Sequence, residues 1–124
     1  MFLGGITWYD FRMEKLLKIL EAKDPDPYWE SYSSDLAAEI LENFSQNEWA
    51  ELAKCYPNLA DNIRYRLAYA LSSVVTNPSG RILAGMLADT YDEVVIFALD
   101  VLANDFSADI LKSIPLDLTV ERLE

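Results

Sequence analysis

The chain has 124 residues, a net charge of −11, 52% hydrophobic residues and no histidine. That length suits one domain, residues 1–124, with a buried core, and the composition argues against disorder. The missing imidazole excludes Ser–His and Cys–His nucleophiles and imidazole metal sites, and the acidity disfavours nucleic-acid phosphate as a ligand.

The apolar start, Met1 to Ile6, lacks a basic flank and is interrupted by Thr7 and Asp10. It is too short for a signal peptide or a membrane span, so the cytoplasm is the expected compartment. A first helix is predicted from about Asp10 to Ala22, with Phe11, Leu16, Leu17 and Leu20 on its apolar side. Asp24-Pro25-Asp26-Pro27 ends it, because each Pro removes a donor and drives its predecessor out of helical geometry. A second helix follows from about Tyr32 to Phe44, capped by Ser33 or Ser34, with Leu36, Ala37, Ile40, Leu41 and Phe44 as its buried stripe. Asp35, Glu39 and Glu42 share one face of it, where like charges repel by a few tenths of a kcal/mol per pair. A used surface and a merely solvated one both fit that face.

Ser45-Gln46-Asn47-Glu48 reads as a capping box for a third helix carrying Trp49, Leu52, Ala53 and Tyr56, closed by Pro57. The single Cys55 excludes an internal disulfide and reads as a small buried hydrophobe. Asn58 can cap a fourth helix, from about Leu59 to Val75, with Ile63, Leu67, Ala70 and Leu71 inward. Asn77-Pro78 supplies cap and first-turn Pro for a fifth, with Ile82, Leu83, Met86 and Leu87 inward. Thr90-Tyr91-Asp92-Glu93 is a second capping box, opening a sixth helix that ends near Asn104. Ser107 starts a seventh, Ala108 to Ser113, and the tail from Leu116 to Glu124 is apolar enough to cover an end of a stack. No strand is expected, and nothing calls for a cofactor or a metal.

Two eleven-residue stretches, Asp61 to Leu71 and Asp92 to Leu102, lie 31 positions apart and match. Each has an acidic start, a branched apolar third residue and an apolar second half ending in Leu. The same shift places Leu52 on Leu83, Ala53 on Ala84, Tyr56 on Leu87 and Asn58 on Asp89. One unit further back, Leu36, Ala37 and Ile40 fall on Leu67, Ala68 and Leu71. A period of this size marks stacked helix pairs, each unable to bury its apolar face alone. The expected fold is therefore all-α, about three antiparallel helix pairs forming a short α-solenoid.

Asp92-Glu93-Val94 followed by Ala98 and Val101-Leu102 resembles the second helix of a HEAT repeat. So does Asp61-Asn62-Ile63-Arg64 followed by Ala68 and Ala70-Leu71. The resemblance covers roughly residues 45–104; Arg64 matches an Arg frequent in that family, whereas Val95 departs from it. In HEAT-like proteins the second helices line a concave face that holds other proteins, which implies a binding surface here. By size, charge and helical repeat the chain also resembles the small acidic immunity proteins of contact-dependent inhibition and other polymorphic toxin systems. That resemblance implies a cognate toxin domain as partner, basic and often a nuclease.

The excess charge is concentrated: residues 21–51 hold nine carboxylates against Lys23 alone. Such a field favours a basic protein partner, because complementary potentials speed encounter and suppress wrong pairings. The leading expectation is an immunity protein that neutralises a toxin by binding, with no enzymatic activity, no nucleic-acid partner and no membrane. The alternative is a helical-repeat adaptor without a toxin partner, and a homodimer is left open. In the matched helices Tyr65 corresponds to Ile96 and Tyr69 to Asp100, away from the inward residues. They are expected on one face with Asp61 and Asp92 at its edge, anchoring a partner while Asp35, Glu39 and Glu42 steer it.

Overall fold

The computed structural model describes residues 8–106, and among these it is helical with no strand. The helix expected at 108–113 and the tail at 116–124 lie outside the described residues. Helix α1 spans Trp8–Leu20. A short α2, Asp26–Tyr28, runs directly into a π-helical segment, Trp29–Ser33, and then into α3, Ser34–Glu42. Next come α4, Gln46–Cys55, with a 3₁₀ turn at Tyr56–Asn58, and α5, Asp61–Leu71. Helix α6, Asn77–Gly85, ends in a 3₁₀ turn at Met86–Ala88 and leads to α7, Asp92–Asp105.

Helix α5 packs between α3 and α7, α4 contacts α1 and α6, and α6 also contacts α7. One apolar cluster runs through all of them, with Leu16, Leu20, Trp29, Leu41, Leu52, Leu67, Leu71, Leu83 and Val94 fully buried. Ile63, Leu67, Ala70 and Leu71 of α5 and Ile82, Leu83, Met86 and Leu87 after it, read as inward from the sequence, are all buried, as helical periodicity requires, and Arg64, Arg66 and Ser79 are buried beside them. Leu36, expected in the stripe of the second helix, is instead 56% exposed.

The helix starts differ from expectation in instructive ways. Helix α1 ends at Leu20, before the proline segment, and Pro25 flanks the start of α2; Pro27 occupies the first turn of α2, where its missing N–H has no intrahelical acceptor to lose. Helix formation thus begins at Asp26, and neither Ser33 nor Ser34 is a cap. Ser34 Oγ donates back to Glu30 O at 2.7 Å and Ser33 Oγ to Asp24 Oδ2 at 3.2 Å. The Ser45–Glu48 capping box is present in both halves. At α6 the cap is Thr76, with Ser79 as its reciprocal partner, one residue earlier than Asn77. Ala60 caps α5 with no side-chain bond. At α7 no Thr90–Glu93 box forms; Asp89 Oδ1 accepts the Tyr91 N–H at 2.8 Å.

Two buried arginines fasten these helices. The Arg66 guanidinium donates to Leu20 O at 3.0 Å, Ala22 O at 2.6 Å and Asp24 O at 3.0 Å, and pairs with Asp26 Oδ1 at 3.3 Å. It lies 5.0 Å from the Trp29 ring centre, and Trp29 Nε1 donates to Ile19 O at 2.8 Å. Carbonyls in the last turn of α1 and just beyond it are thus bonded from α5 and the π segment. Arg64 grips Asp89 bidentately at 2.7 and 2.9 Å and also donates to Leu59 O at 2.6 Å and Asp61 Oδ1 at 2.7 Å. It therefore ties α5 to the turn entering α7. Hydrogen bonding to Asp89 is the main reason its pKa is raised above the ordinary arginine value, so it stays charged.

Candidate protein-binding face

On the row α3–α5–α7, Tyr65 and Tyr69 stand one turn apart on α5 and both meet Phe97 of α7. Ring centres are 5.4 and 5.6 Å apart, and Tyr69 stacks on Phe97 at an interplanar angle of 16°. Trp29 supports Tyr69 edge-on at 6.3 Å and 79°. Because Trp29 is also fixed by Ile19 O and Arg66, the aromatic layer rests on a rigid base.

A groove of about 360 Å³ opens over this layer. Tyr69 and Phe97 contribute to its lining, Ser34, Ser72 and Ser73 supply hydroxyls, and Glu30, Asp35, Asp100 and Asp105 supply carboxylates. No lysine or arginine lines it, and none of those four acids forms an ion pair among the described residues. Among the described residues, the Asp100 carboxylate accepts from Asn104 Nδ2, at 2.8 Å. Carboxylates on an aromatic floor with no resident cation favour a positively charged group, and flat rings add cation–π attraction. The Tyr65 phenol registers the field: burial first, then Glu30 and Glu93, hold its pKa above the ordinary 10.0. Among the described residues no three acids or thiols stand close enough to hold a metal.

The residues singled out from the sequence fall in several places. Tyr69, Asp100 and Asp35 meet at the groove, coming from α5, α7 and α3. Tyr65 lies one turn away, half-buried against Phe97. Ile96, 66% exposed, is on α7 but outside the groove lining. Asp61 is held by Arg64, and Asp92 sits in the first turn of α7, where carboxylates favour the helix dipole. Glu39 and Glu42 are exposed on α3 and continue the acidic surface beyond Asp35.

Glu30, Phe97 and Asp105 were not singled out from the sequence. Glu30 and Asp35 are five apart, a spacing that an α-helix puts on different faces but that a π-helical turn nearly eclipses. Phe97 aligns with Arg66 in the 31-residue shift, and that exchange of a charge for a ring is the one signal that could have marked it. Among the described residues no helix is long and apolar enough to cross a membrane. No protein-family model, curated protein or solved structure matches the chain.

Proposed function

We propose that the chain is an immunity protein, a short α-solenoid whose α3, α5 and α7 present an acidic face to a basic toxin domain. The observation that carries this reading is the groove: four carboxylates, none ion-paired among the described residues, over stacked Tyr69 and Phe97. An interface of this make-up works in two stages. The unscreened negative field draws a cationic surface in, and one or two arginines or lysines then leave water to sit between the acids and the rings. Phosphate-bearing ligands meet the opposite sign and are repelled. On this reading inhibition would be stoichiometric, by capture rather than turnover.

Titrated co-expression with a candidate cognate toxin domain tests the reading. Growth rescue should rise in proportion to the amount of this protein, and Asp100→Asn with Asp105→Asn should shift the requirement upward. Rescue by trace amounts would contradict capture. Modest affinity for several unrelated proteins, with no rescue, would place the chain among adaptors instead.

A further inference from the structure

Outside the groove, Tyr28, Tyr32 and Leu36 are 51%, 62% and 56% exposed. They recur every fourth residue along the unbroken helix of α2, the π segment and α3, and so form one stripe. The Tyr28 and Tyr32 rings are in contact, their centres 4.9 Å apart. Helix α3 packs on α1 and α5 through Ser34, Ala37, Ala38 and Leu41, leaving the stripe on its uncovered side. One exposed apolar residue is ordinary; three in register, two of them tyrosines, have the composition of an interface anchor.

Charge discriminates between occupants of such a face. The stripe lies in the segment with nine carboxylates and one lysine, and helical spacing sets Asp35 beside Tyr32 and Glu39 beside Leu36. A second copy of the chain would bring two acidic borders together, and an anionic lipid surface would meet the same repulsion. A cationic helix meets neither obstacle. We propose that the Tyr28–Tyr32–Leu36 stripe docks the apolar side of a basic amphipathic helix of a partner protein, whose flanking lysines or arginines meet Glu39. Tyrosine and leucine side chains at this spacing fit a helix packed alongside α3 by ridges and grooves. The proposal rests on the reading above only for the sign of the partner's charge; the toxin assignment plays no part in it.

The probe is a synthetic helical peptide of about 20 residues, long enough to fold on contact, with leucines on one face and lysines on its flanks. Its controls are a scrambled peptide of the same composition and one with glutamate in place of lysine. Binding is followed by fluorescence anisotropy and by amide chemical shifts of the isotope-labelled full chain. The largest shifts should fall on Tyr28, Tyr32 and Leu36, and Tyr32→Ala or Leu36→Ala should each weaken binding about tenfold. Asp100→Asn should change it less than about twofold, since Asp100 is on α7 whereas the stripe runs along α2, the π segment and α3. Both stripe positions are exposed, so the variants should melt like the parent by circular dichroism. Equal binding of the scrambled peptide, shifts centred on the groove, or a parent dimer that Leu36→Ala dissolves would overturn the proposal. Those results leave toxin rescue through the groove intact, and failed rescue leaves peptide binding to the stripe intact, so the two failures are distinguishable.

Discussion

At the scale of single residues, Arg66 is the most consequential side chain in the molecule. Its guanidinium answers three carbonyls, one carboxylate and one indole at once, all from residues 20–29. Removing it strands acceptors that water reaches poorly, so Arg66→Ala should cost on the order of 3 kcal/mol of stability in urea unfolding. Arg66→Lys should recover little, because an ammonium cannot reproduce the planar fan of donors. A second expectation concerns alkali. Burial, then Glu51, raises the Cys55 thiol above its ordinary 9.0; burial, then Asp89, raises the Tyr56 phenol above 10.0. A folded pKa above the unfolded one favours the protonated group, so stability is intact below the unfolded values and lost as pH rises through the folded ones. Resistance to urea should therefore fall from about pH 9 upward, and Tyr56→Phe should flatten part of that decline. The raised thiol should also make Cys55 slow toward disulfide reagents at neutral pH.

At the scale of elements, the π segment decides which side chains face where. Its extra residue per turn lets Trp29 enter the core while Tyr28 and Tyr32 remain outside. Deleting Ser31 should restore α-helical register, rotate the α2 end by roughly 100° and eject Trp29. Tryptophan fluorescence should then shift to the red, with a loss of about 3 kcal/mol or more. None of this was legible in the sequence. Two prolines and two serines outweighed the weak evidence for a helix across residues 26–33, and an i to i+5 offset leaves no periodic trace. The elements that were legible are those whose local chemistry agrees with their packing. Ser45 and Glu48 satisfy each other's backbone, and α5 and α7 bury one consistent stripe. The expected box at Thr90–Glu93 failed because Asp89, already holding Arg64, captured the Tyr91 N–H. A tertiary contact supplied what a local cap would have.

At the scale of the whole molecule, charge and shape converge on the row α3–α5–α7. A 31-residue shift in the sequence pointed to Tyr69 and Asp100, and the clustering of acids in residues 21–51 pointed to Asp35. These three share the groove because α5 lies between α3 and α7. Glu30 and Asp105 complete it from a π turn and from the last residue of α7, positions that periodicity does not reach. In the function proposed above, this groove recognises cationic groups of a protein partner. The most direct measurement is the affinity of the proposed toxin partner as a function of salt, for the parent and for Asp35→Asn, Asp100→Asn and Asp105→Asn combined. The parent should bind more weakly as salt rises. The triple variant should lose on the order of 2 kcal/mol, mostly in the association rate, and show a flatter salt dependence. Equal affinity and an unchanged salt slope in the triple variant would contradict the claim.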